Sequence, residues 1–264
     1  MQVSPNIELI EEGFGSFNHA IIPFLLKTVE DFFRQQGVIP TKRLVVVRGE
    51  NEPMCCPTSD SNIHVIKLNT EGDRWCQWVY QFAHEYCHHI IDGGLTGETS
   101  GLKWLEESIC HVASYVCLDF FERRCASSTI SYLPGYAPCV ISYLKNLLLD
   151  EGQQLYERYL PDLNNPLRKV QIPQEEMKPI YPYVESRADV LATTYSMGDY
   201  MAIAKKLFPH FYNNPALWRI LPHLGDTRKW NSPQELFDYL QVKADDEYRE
   251  SLEGLKGCLI AEQG

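Results

Sequence analysis

Between residues 75 and 90 bulky apolar side chains return at every third or fourth position: Trp75, Trp78, Val79, Phe82, Tyr86 and Ile90, with His89 in the same pattern. That period belongs to an α-helix and not to a strand. So many large residues in so short a stretch require packed neighbours on several sides, which makes this segment the centre of whatever the chain folds into. Asp73 is placed to cap the start of the helix and Gly93-Gly94 to stop it.

The flanking segments set the fold class. Residues 21–36 read as a helix ended by Gly37. Residues 43–47 and 63–68 are rich in β-branched side chains and read as strands. Residues 50–61, with Pro53, Pro57 and the adjacent Cys55 and Cys56, read as a loop. Beyond the central helix come a turn at 98–101, a helix over about 102–123, a loop at 127–138 and a helix over about 140–159. An irregular connection at 161–182 follows, then one long helix over about 185–211, short helices at 216–221 and 233–242, and a polar tail after Asp245 that frays. Strands early and helices thereafter spell α+β, predominantly helical, with a small N-terminal sheet and a helical C-terminal lobe. The 264 residues read as one domain, with a core over about 20–125 and the lobe over about 139–242.

Charge narrows the partners. Lys and Arg number 24 against 35 Asp and Glu, a formal charge of −11. Such a chain lacks the clustered cations that nucleic acid or an anionic membrane surface demands. No run reaches the roughly 18 apolar residues of a membrane span. The opening residues have neither the basic nor the apolar part of a signal peptide, so the chain reads as cytoplasmic. Its nine cysteines, an odd number with no C-x-x-C pair, read mostly as reduced, buried thiols.

The central helix carries His84-Glu85-Tyr86-Cys87-His88, an H-E-x-x-H motif. Histidines four apart leave a helix on one face, one turn apart, where two ring nitrogens can meet one ion. Glu85 stands beside them, positioned to take a proton from water. His89 leaves the helix about 100° from His88 and reads as a packing residue. Two histidines leave a metal one protein ligand short. The third histidine of a metzincin would fall on Gly94, which excludes that class. The next suitable carboxylate is Glu107, separated from His88 by eighteen residues.

H-E-x-x-H, eighteen residues, then Glu107 inside Trp104-Leu105-Glu106-Glu107-Ser108 resembles the gluzincin metallopeptidases. The nearest pattern is that of the aminopeptidase N family, W-L-N-E-G-F-A, with Glu106 here in the Asn position. The resemblance spans residues 63–120; the family's G-A-M-E-N motif is absent and Gly49-Glu50-Asn51-Glu52 only echoes it. The chain is also similar to small zincin-like proteins with a W-F-E-E-S-L-C-type stretch. The resemblance implies a zincin-like core, Zn2+ held by His84, His88 and Glu107, and Glu85 as general base. It implies hydrolysis of a peptide bond in a peptide or protein substrate, with residues 63–68 as the edge strand that pairs with it. It also implies an oxyanion donor from a later helix; Tyr181, Tyr183, Tyr195, Tyr200 and His223 are the candidates, and Tyr195 stands nearest the family's position. His111, four after Glu107, is placed to hydrogen-bond a ligand, and Cys110 reads as core. Glu185, in the E-x-x-x-D of Glu185 and Asp189, competes for third ligand, since it looks like the ligand segment of the membrane-linked CAAX-processing proteases. The alternative function is a zinc-containing, catalytically silent binding or regulatory module on the same scaffold.

Overall fold

The structure, a computed structural model, describes residues 1–92, 101–148, 179–225, 230 and 232–261. The chain groups into two compact units, residues 1–95 with 113–144, and residues 96–112 with 145–264. The architecture is α+β and mostly helical, with one five-stranded mixed sheet.

In the first unit the sheet order is β1-β2-β3-β5-β4, from β1 (Gln2–Ser4), β2 (Ile7–Leu9), β3 (Arg43–Arg48), β4 (Met54–Pro57) and β5 (Ile63–Leu68). Parallel pairs join β2 to β3 and β3 to β5, while β1 and β4 run antiparallel to their neighbours. Two expectations are corrected here. Residues 50–61 are not all loop, because Met54–Pro57 pairs with β5, Cys55 opposite Ile66 and Pro57 opposite His64. Residues 63–68 therefore form an inner strand, and β4 is the border. Proline has no N–H to give a ladder, so Pro57 suits a border strand and would be costly inside the sheet.

Helices α1 (Ile21–Gln35) and α2 (Trp75–Ile91) pack on one another and α2 packs on β4 and β5. Phe33 meets Tyr86 at 5.5 Å between ring centroids and Phe14 meets Trp78 at 4.6 Å. Trp78, Val79, Phe82, Ala83 and Cys87 have no exposed surface, and burying each large side chain contributes about 1.5–3 kcal/mol. Asp73 does not cap α2 with its side chain; Arg74 holds the N-cap place, with no side-chain bond. The helix stops at Asp92, left-handed at φ 50°, a conformation Asp tolerates better than most residues. Gly93 and Gly94 lie outside the described residues, as does most of the expected turn at 98–101.

Helix α3 (Lys103–Ala126) forms where the apolar period places it, and Ser114 Oγ donates to the Tyr80 carbonyl of α2 at 2.8 Å. Helix α4 (Leu133–Leu147) begins inside the stretch expected to be loop and holds Pro138 in its interior. Its expected continuation to 159, and most of the connection at 161–182, fall outside the described residues.

In the second unit the single helix expected over 185–211 is three pieces: α5 (Tyr181–Ser186), α6 (Ala188–Thr193) and α7 (Met197–Asn213). Thr194 turns extended, and Ser196 restarts the helix by accepting the Asp199 N–H at 3.4 Å. The Asp199 carboxylate accepts both Arg187 guanidinium contacts at 3.0 Å and the Tyr183 hydroxyl at 2.8 Å. Those donors, with Arg187 foremost and Ser196 next, hold its carboxyl well below the usual range. A 3-10 helix (Pro215–Ile220), α8 (Leu221–Leu224) and α9 (Pro233–Lys243) follow. The tail does not fray: α10 (Asp246–Leu259) is capped by Asp245 and buries Tyr248, Leu252, Leu255 and Leu259. Its many charges mask that stripe in the sequence. Among the described residues no helix is long and apolar enough to cross a membrane, and none of the nine cysteines is joined in a disulfide.

Candidate metal centre

Four-residue spacing on α2 sets the His84 and His88 rings 5.0 Å apart, centroid to centroid, on one face. Glu107 enters from the beginning of α3. One ligand atom from each of His84, His88 and Glu107 lies within 4.8 Å of the other two, the one such group of His, Cys, Asp or Glu among the described residues. A tetrahedral zinc spreads its ligand atoms roughly 3.3 Å apart, from bond lengths of about 2.0–2.2 Å. Two imidazole nitrogens and one carboxylate oxygen are the donor set zinc takes when a fourth position stays open. His88 and Glu107 are 4% and 8% exposed, so an ion held by them would sit against a largely dry wall. Glu85, next to His84 on α2, is buried and lies outside the three-residue group.

The rival ligand does not join. Glu185 is exposed on α5 and Asp189 is exposed on α6, and neither belongs to the group. His111 and Cys110 are buried on α3, outside it as well.

Tyr195 is not on a helix. It lies in the break between α6 and α7 with 53% of its surface exposed, edge-on to Tyr200 at 5.3 Å and under the Lys103 ammonium at 5.7 Å. Tyr183 is engaged with Asp199. The phenol that feels Glu107 is Tyr200, 2% exposed, whose pKa is raised by burial and further by the Glu107 charge. Its hydroxyl donates to the Thr194 carbonyl at 3.4 Å. The break at residues 194–196 leaves Tyr195 exposed and Tyr200 buried.

A second cluster carried no motif at all. His89 is more than packing: its Nδ1 lies 3.0 Å from Nδ1 of His64 on β5. His64 Nε2 faces the Lys42 ammonium and the Asp92 carboxylate, each at 3.2 Å, and Lys42 and Asp92 are themselves paired. Cys55 Sγ stands 3.9 Å from His64 Nδ1. Burial, with His64 beside it, pushes His89 down to about 3, and burial with the Lys42 charge lowers His64. Both rings are therefore neutral near pH 7, and one shared N–H joins them. A lone histidine in the middle of a strand gives no periodic or spacing signal that would have singled it out.

No family model, curated protein or solved structure matches the chain.

Proposed function

We propose that this chain is a zinc-dependent peptidase with a zincin-like core. The observation that carries the reading is the convergence of His84, His88 and Glu107, with Glu85 adjoining the first of them on the same helix. A zinc ion held by those three residues supplies a Lewis acid and an acidified water. Glu85 takes the proton from the attacking water and delivers it to the leaving amine. Its burial keeps that proton from exchanging with bulk solvent during the transfer. The Glu107 charge felt by the buried Tyr200 favours that phenol over the exposed Tyr195 as the donor toward a developing oxyanion. The border strand β4, rather than residues 63–68, offers the main-chain groups to which an extended peptide could add.

One observation favours the second reading, a zinc-holding module without turnover. The Tyr200 hydroxyl already has the Thr194 carbonyl as partner and would have to leave it to serve a substrate. The experiment is digestion of a mixed peptide pool at neutral pH by wild type and Glu85→Gln, with zinc measured in both. A peptidase loses activity in Glu85→Gln by roughly 10²–10⁴, the span of a general base, at unchanged zinc content. Zinc-loaded wild type that cleaves nothing supports the silent module. No zinc in either protein ends both readings.

A further inference from the structure

The buried histidine on β5 grips both residues that flank and cap a candidate ligand. His64 reaches the His89 ring at 3.0 Å and the Asp92 carboxylate at 3.2 Å. His89 is the next residue after His88. The Asp92 backbone N–H closes the last turn of α2 on the carbonyl of His88 itself, at 3.0 Å. Asp92 is also left-handed at φ 50°, a region sparsely used by residues other than glycine. A left-handed residue is a common way for a helix to stop, and the side-chain partners that hold this one in place are His64 and Lys42.

We propose that His64 is a positioning residue for the candidate metal centre: by fixing His89 and Asp92 it locks the final turn of α2 and so the direction of the His88 ring. The inference rests on the metal reading above and extends it to a residue about two dozen positions away in sequence that does not belong to the ligand group. Ligand affinity depends on orientation as well as identity, and partners that orient a ligand commonly matter by about 10–100-fold in metal affinity. His64 has two separable grips, which makes the idea testable in parts. Asparagine places a polar atom near the Nδ1 position and can keep the link to His89. Glutamine places one near Nε2 and can keep the link to Asp92.

The test measures zinc affinity by competition with a chromogenic chelator and records the visible spectrum of the cobalt-substituted protein. The proteins are wild type, His64→Leu, His64→Asn, His64→Gln and a remote control, Leu252→Ala, which removes a buried side chain from α10. The expected result is that His64→Leu binds zinc about 10–100-fold more weakly and shifts the cobalt ligand-field bands. Asparagine and glutamine should each restore part of the affinity. Leu252→Ala should lower the melting temperature and leave affinity and spectrum alone. If His64→Leu does not fold, the two polar variants carry the test, and wild-type affinity and spectrum in both overturn the proposal. A folded His64→Leu with affinity within about twofold of wild type and an unshifted cobalt spectrum also overturns it. Wild type that binds no metal defeats the metal reading itself, an outcome distinguishable from the previous two.

Discussion

His210 lies on α7 with 5% of its surface exposed, and its Nε2 has no hydrogen-bond partner among the described residues. Burial pushes its pKa down from 6.5 to about 4. Above pH 6.5 the ring is neutral whether the chain is folded or not, and it imposes no pH dependence. Between 6.5 and about 4 the unfolded chain binds a proton that the folded chain refuses, so stability falls as the pH falls through that window. Below about 4 both states are protonated and the loss is complete. A gap of roughly two and a half units, at about 1.4 kcal/mol each, comes to about 3 kcal/mol in all. By pH 5 about 2 kcal/mol of it should be gone. His210→Leu keeps similar bulk and removes the proton site. Urea unfolding at pH 7 and pH 5 can be followed by tryptophan fluorescence, because Trp218 packs 4.7 Å from Phe211, the next residue on α7. Wild type should lose about 2 kcal/mol more than His210→Leu between the two pH values. The other buried histidines are common to both proteins and cancel. Parallel losses in the two proteins would refute the reasoning and mean that His210 meets its proton without unfolding.

Glu107→Ala should lose bound zinc while Glu185→Ala keeps it, read by elemental analysis of both; the reverse would hand the third ligand to the E-x-x-x-D segment. Trp78→Ala should cost about 3–5 kcal/mol in urea unfolding, because a fully buried indole is removed from the contact with Phe14. Asp199→Asn should destabilise the protein near neutral pH, where the carboxylate is ionised and held by Arg187, Ser196 and Tyr183. The depressed folded-state pKa means that this contribution is present above about pH 4, the ordinary carboxylate value, and fades as the pH drops below it. The melting temperatures of wild type and Asp199→Asn should therefore converge in strong acid.

What could be read from residues alone tracks how much the chain repeats itself. The stripe from Trp75 to Ile90 announces a helix because its period is sustained, and His84 and His88 inherit their geometry from it. Glu107 stands out as a candidate by its spacing after His88, by a second periodic segment, α3, and by the resemblance of residues 104–108 to the gluzincin pattern. Border strands are a different matter. Met54–Pro57 pairs on one side only, so it neither alternates cleanly nor avoids proline, and β1 and β2 are too short to show a period. The break at Thr194–Ser196 carries only a short cue, Ser196 three residues ahead of Asp199, which is the spacing of a helix start; the Arg187, Tyr183 and Ser196 bonds to Asp199 fix the restart. The His64, His89, Lys42 and Asp92 cluster joins three separate stretches of chain, the end of α2, β5 and the segment before β3, and nothing local marks any one of them.

The brevity of β4 bounds what its border can select. Four residues span roughly 13 Å of extended backbone, at about 3.3 Å each, and the last of them offers no N–H. A guest strand laid there could form only a few ladder bonds before the pairing ran out. Sequence preference along a longer polypeptide would then have to come from side chains meeting pockets, since the backbone ruler is too short to measure it. The same shortness makes this edge a poor template for pairing one copy of the sheet with another.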